Sequence, residues 1–164
     1  NNSKDNKTKG VWLTGRIGAG KTTIFKAFED NPFSSFRIVK AQQIVEGYKR
    51  DPDFLETLLS EKPLSGEENK YAHKTFDLLI EEIGREQLNV NAGKESFKNE
   101  AVNVLQRFFS ELYERPNIRV HCCTNADSPE KWEALYGEAI ASRIGEMFHI
   151  VKMSEEAPDR RKTA

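Results

Sequence analysis

Gly15-Arg16-Ile17-Gly18-Ala19-Gly20-Lys21-Thr22 constrains this chain more than any other segment. It fits the pattern G-x-x-x-x-G-K-[ST], in which each fixed residue has a physical task. Glycines let the backbone close into a concave nest whose N–H groups converge on phosphate oxygens. Lys21 carries a compact positive charge, and the Thr22 hydroxyl is a hard oxygen donor of the kind Mg²⁺ prefers. In isolation the segment also fits an ordinary glycine-rich turn, so its surroundings decide. Gly10-Val11-Trp12-Leu13-Thr14 before it is a short apolar run suited to a buried parallel strand. In Thr23 to Asp30 after it, Ile24, Ala27 and Phe28 fall at i, i+3, i+4 and share one helical face, and Asn31-Pro32 stops the helix. Strand, loop, helix is the context the pattern requires, and it aims a positive helix end at the loop.

That arrangement is a P-loop. Gly15, Arg16, Ile17, Gly18, Ala19, Gly20, Lys21, Thr22 and Thr23 are expected to hold ATP or ADP, with Mg²⁺ on Thr22. The chain has 164 residues, enough for one domain with a substantial core, at 37% hydrophobic and 31% charged residues. No apolar run approaches the about 18 residues of a membrane span. Residues 1–9 are polar, lack the apolar stretch of a signal peptide and lack an initiator Met, so they are expected to be a disordered linker in a longer protein. The ATPase core is expected over 10–153 and a charged, frayed tail over 154–164. A net charge of −1 and a pI near 6.4 give no global basic field for nucleic acid, leaving only a local patch or one built by assembly. Cys122 and Cys123 would point to opposite faces of a strand, so they are expected to be buried free thiols in a reducing cytoplasm.

Further elements follow from pattern. Strands are expected at 36–41, 75–80, 118–124 and 147–151. Helices are expected at 42–50 with Ile44, Val45 and Tyr48 inward, and around Phe54 to Leu59. Phe97, Ala101, Leu105, Phe108 and Leu112 follow helical spacing up to Pro116. Ser128-Pro129 opens another helix with Ser as cap and Pro at its first position, and a short helix spans 138–144. Residues 60–70 read as a loop and 83–96 as a surface excursion. The alternation of strand and helix predicts an α/β fold with a parallel sheet covered on both faces.

Hydrolysis needs more than a phosphate cradle. Phe76-Asp77-Leu78-Leu79-Ile80-Glu81-Glu82 is an apolar strand ending in two carboxylates, the Walker B layout. Glu81 stands where a carboxylate near magnesium belongs, and Glu82 where the water-polarising one belongs. In a parallel sheet both would reach the crevice at the strand ends. Asn125, also after a strand, carries an amide able to orient water, although Asn125-Ala126-Asp127-Ser128 is equally a turn. Arg143 is a candidate finger arginine donated across a subunit interface; by spacing alone it reads as a surface residue. His73, His121 and His149 form no metal-ligand spacing, and the aromatics at helical spacing read as core.

The chain resembles the AAA+ ATPases of the bacterial replicative helicase-loader group, the DnaC-like and IstB-like proteins. The resemblance rests on Val11 to Gly15 with the P-loop, on Phe76 to Glu86, on Cys123-Thr124-Asn125, and on Tyr136-Gly137 leading to Ser142-Arg143-Ile144-Gly145-Glu146-Met147-Phe148. It covers about residues 10–152. It implies a P-loop NTPase three-layer sandwich with a five-stranded parallel sheet, an AAA+ base domain without a lid. It implies that Glu81 and Glu82 are the Walker B pair, Asn125 sensor 1 and Arg143 a trans-acting finger. It also implies self-association into a ring or spiral, with a replicative helicase and single-stranded DNA as partners and no membrane. Asp is usual where Glu81 stands; the extra methylene moves the carboxylate outward and predicts slow or assembly-dependent ATP hydrolysis. Ala139 stands where a further arginine is common, and no lid arginine follows Val151. Arg16-Ile17 replaces a frequent Pro-Pro at variable positions.

Competing readings are an IstB-like ATPase assisting transposition, a P-loop small-molecule kinase, and an ATP-dependent scaffold that does not hydrolyse. A kinase would want an arginine-rich lid, which 83–114 does not offer. A GTPase would want Asn-Lys-x-Asp where Asn125-Ala126-Asp127-Ser128 stands.

Overall fold

The computed structural model describes residues 9–29, 36–60, 76–91, 101–115 and 118–156. In chain order these form β1 (Gly10–Thr14), α1 (Lys21–Glu29), β2 (Phe36–Lys40), α2 (Ala41–Arg50), α3 (Phe54–Leu58), β3 (Phe76–Ile83), β4 (Asn89–Val90), β5 (Val102–Asn103), α4 (Val104–Tyr113), β6 (Ile118–Thr124), α5 (Pro129–Tyr136), α6 (Glu138–Met147) and β7 (Phe148–Lys152). Five strands make one sheet in the order β2-β3-β6-β1-β7. Every neighbouring pair in it is parallel. β4, inside the segment read as a surface excursion, pairs with β5, just before α4, as a separate antiparallel ribbon. Among the described residues no helix is long and apolar enough to cross a membrane.

Period-two alternation assigns the strand side chains to two faces. Trp12, Leu78, Ile80, Val120 and Cys122 join the large core with residues of α2 to α6. Leu13, Leu79 and Cys123 join a smaller one with Phe25 of α1. The centre of the sheet is thus covered on both faces, as the apolar runs Val11 to Leu13 and Leu78 to Ile80 require. Trp12 is the hub of the larger core, with ring centroids 5.2 Å from Phe148, 5.5 Å from Trp132 and 5.8 Å from Phe109. Tilted and edge-on pairs of this kind suit the ring quadrupoles. Both cysteines are free and buried on opposite faces, as alternation predicts. Burial pushes the Cys123 thiol up to about 12, helped by the nearby charge of Glu81.

Four expectations change. α1 starts at Lys21 rather than Thr23 and turns Phe25, not Ile24 or Ala27, onto the sheet; Phe25 is 6% exposed and Ile24 41%. One residue along a helix is a turn of about 100°. The rotation of α1 is set by where the P-loop releases it, not by its own apolar stripe. α4 starts only at Val104, so Ala101 precedes it, while Phe97 lies outside the described residues. Its cap is Asn103, whose Oδ1 accepts from the Gln106 N–H at 3.1 Å and whose Nδ2 donates to the Leu135 carbonyl at 2.7 Å. β3 continues through Ile83 past the expected end at 80, with a register irregularity against β6 between Ile80 and Ile83. α6 runs to Met147, which displaces β7 by one residue from the expected strand. The helix at Ser128-Pro129 forms as read, with the Ser128 side chain accepting from Lys131 N–H.

Candidate functional site

Three parallel strands end side by side in the order β3, β6, β1. Their C-terminal ends frame a cleft of about 270 Å³. One wall is the P-loop, through Ile17, Gly18 and Gly20 to Thr23; the other is Glu82 and Arg85 from the turn around the end of β3. Cys123, Thr124 and Asn125 at the end of β6 lie between them. Because β6 separates β1 from β3, its end residue is carried between the loop and the acidic turn.

The loop is glycine-built for stated reasons. Gly18 and Gly20 hold φ of 81° and 90°, the left-handed region that a Cβ disfavours. A Cβ on Gly15 would lie 2.9 Å from that of Met153, at the strand end beside it. The Lys21 ammonium donates to the Gly15 carbonyl at 2.7 Å, the Arg16 carbonyl at 2.9 Å and Asn125 Oδ1 at 2.7 Å. Lys21 and Asn125, 104 positions apart, therefore share one hydrogen bond across the cleft. Arg16 points outward, its guanidinium donating to the Glu155 carbonyl at 3.1 Å.

The acidic pair splits. Glu82 lines the cleft with φ of 60°, a backbone strain concentrated where a strand end must re-aim a side chain. Its Oε2 lies 3.4 Å from Lys40 Nζ, in a pair whose side chains are 44% and 53% exposed. Such a pair contributes at most about 1 kcal/mol and leaves Glu82 able to move. Glu81 is not among the cleft-lining residues. It is 8% exposed, and its Oε1 is buried without a hydrogen-bond partner among the described residues. A buried carboxylate oxygen left without a donor is costly unless a cation meets it.

That orphaned oxygen and the Thr22 hydroxyl are the hard donors that suit Mg²⁺, so the residues fit the ion. No cluster of three or more His, Cys, Asp or Glu able to hold a metal occurs among the described residues. Mg²⁺ held by one or two protein oxygens and by phosphates does not need one.

Arg143 is not brought to the cleft. It lies on α6 with its guanidinium carbon 4.4 Å from the centre of the Tyr113 ring, whose hydroxyl donates to Glu146 at 2.7 Å. Two features had no role in the sequence reading. Arg85 lines the cleft. Glu86, 7% exposed, accepts from the Gly84 N–H at 2.7 Å and from the Tyr136 hydroxyl. Thr124 closes the same corner, donating to the Ile83 carbonyl at 2.9 Å and accepting from Ala126 N–H at 3.0 Å. A glycine after the acidic pair signals the turn that aims Arg85, whereas nothing in the sequence signals a partner for Glu86 at Tyr136.

No protein-family model and no curated protein sequence matches the chain. Solved structures do. A candidate primosome component from Streptococcus pyogenes serotype M3 superposes with a TM-score of 0.56 at 15% identity, over 93% of this chain and 72% of that one. The DnaC helicase loader superposes with a TM-score of 0.56 at 14% identity, over 93% of this chain and 82% of that one. At these identities the likeness is one of fold: the chain has an α/β fold with a five-stranded parallel sheet and superposes on the DnaC helicase loader.

Proposed function

We propose that the chain is an ATP-binding, ATP-hydrolysing AAA+ domain that serves as a helicase loader in DNA replication. The observation that carries the proposal is the convergence of Lys21, Thr22, Glu82 and Asn125 on one cleft from three separate strand ends. The loop N–H groups and Lys21 bind the phosphates of ATP, with Lys21 giving up its carbonyl contacts for phosphate oxygens. Glu82 orients a water against the terminal phosphorus and accepts its proton as the new oxygen–phosphorus bond forms and the bond to the bridging oxygen breaks. Asn125 holds Lys21 with its amide oxygen and keeps its two N–H donors for that water or the phosphoryl oxygens. Thr22 and Glu81 would hold Mg²⁺, which neutralises charge on the outer phosphates when bound. Arg143, outside its own cleft, is assigned to the cleft of a neighbouring copy in an assembled ring or spiral.

The loading role draws on the fold shared with the DnaC helicase loader. Its test is retention of a purified replicative helicase on the immobilised chain with and without ATP. Retention that needs ATP and disappears in Lys21→Ala is the expected result. No retention contradicts loading, and ATP-dependent retention of a purified transposase offered in the helicase's place favours target selection in transposition.

A further inference from the structure

Arg85 is the one arginine among the residues lining the cleft, and it belongs to the same chain as the P-loop. We infer that Arg85 binds the terminal phosphoryl group in cis, so that each cleft distinguishes a nucleoside triphosphate from a diphosphate without a neighbouring subunit. The inference rests on the nucleotide reading of the cleft and adds to it a residue that reads the last phosphate.

The turn that presents Arg85 is built with unusual care. Glu82 at φ 60° and Gly84 at φ 87° reverse the chain directly before it. Arg85 N–H donates to the Glu82 carbonyl at 3.2 Å. The buried Glu86 carboxylate then clamps the turn from below through Gly84 N–H and the Tyr136 hydroxyl, while the Thr124 hydroxyl ties the Ile83 carbonyl to β6. Burying a carboxylate is expensive, and here it fixes backbone rather than pairing with the adjacent arginine. What the clamp positions is an exposed guanidinium with no ion pair or side-chain hydrogen bond among the described residues.

Charge follows the same division. Glu82, the cleft-lining carboxylate, lies against Lys40. Lys21, in the P-loop, and Arg85, on the acidic turn, are the two cationic side chains among the described residues lining the cleft. With its inner phosphates on the loop N–H groups, a triphosphate would direct its last phosphate to the acidic turn, where Arg85 stands three residues from Glu82. A planar guanidinium fork suits the terminal group's equatorial oxygens, and a diphosphate ends short of it.

The test is equilibrium titration of the full chain with ADP and with a non-hydrolysable ATP analogue, in wild type, Arg85→Ala and Arg85→Lys, each checked for unchanged thermal unfolding. Arg85→Ala is expected to weaken the analogue about tenfold or more and to leave ADP within about twofold, with Arg85→Lys between. An unchanged ratio of the two affinities, or equal loss of both, overturns the role of Arg85 while leaving nucleotide binding standing. Wild-type protein that binds neither ligand overturns the nucleotide reading itself and this inference with it.

Discussion

At the scale of residues, the site depends on which groups are left without partners and which are not. Lys21 is anchored by two carbonyls and Asn125, so its charge is already in place when a polyanion arrives. Glu82 is held loosely by a half-exposed lysine, and Glu81 is buried with one oxygen unmet among the described residues. In the proposed mechanism their different surroundings suit two similar carboxylates to different tasks. Glu82→Gln is expected to keep ATP affinity within about threefold and to slow steady-state phosphate release about 100-fold or more, because the amide cannot accept the proton. Unchanged turnover would remove Glu82 from that task. The cysteines give a pH prediction. Cys123 titrates near 12 in the folded chain against an ordinary 9.0, so its contribution to stability is complete below about 9 and is lost as pH rises toward 12. The unfolding free energy should therefore fall over that window in denaturant titrations, and fall less in Cys123→Ala. Identical slopes in the two proteins would contradict the burial argument. In the native state at pH 8 neither thiol should react with iodoacetamide.

At the scale of elements, the turn from Glu82 to Glu86 is the least regular piece and the most consequential. Its Glu86 meets the Tyr136 hydroxyl of α5, and α5 is tied in turn to the start of α4 by the Asn103 amide on the Leu135 carbonyl. Tyr136→Phe leaves one oxygen of a buried carboxylate without its donor. It is expected to cost about 1–3 kcal/mol in chemical denaturation, and a loss below about 0.3 kcal/mol would mean the clamp is not structural. The elements also show what the sequence could and could not carry. The parallel strands were legible because a strand buried on both faces needs an apolar centre, and Val11 to Leu13 and Leu78 to Ile80 supply one. The cap at Ser128-Pro129 was legible because its chemistry is local. The rotation of α1 was not, because Phe25 and Ile24 are equally apolar and the angle comes from the P-loop. Nor was the start of α4, where Ala101 fits the helical spacing and the ribbon pairing of β4 with β5 overrides it.

At the scale of the whole molecule, the sheet order determines which strand ends meet. β6 between β3 and β1 brings Asn125 to Lys21, a contact that no spacing in the sequence encodes. The P-loop and the acidic strand end were readable as motifs, but their convergence with Arg85 on one cleft belongs to the topology. The same topology leaves Arg143 on α6 outside the cleft. Arg143→Ala is expected to leave ATP binding intact and to lower hydrolysis about tenfold or more only at protein concentrations where copies assemble. An equal loss in dilute monomeric protein would contradict a role across subunits. All of these outcomes presuppose that the cleft takes a nucleotide. The most direct measurement is therefore calorimetric titration of ATP with Mg²⁺ into the wild-type chain and into Lys21→Ala: the account predicts saturable binding of one nucleotide per chain that Lys21→Ala weakens beyond detection, and equal affinity in the two proteins would contradict it.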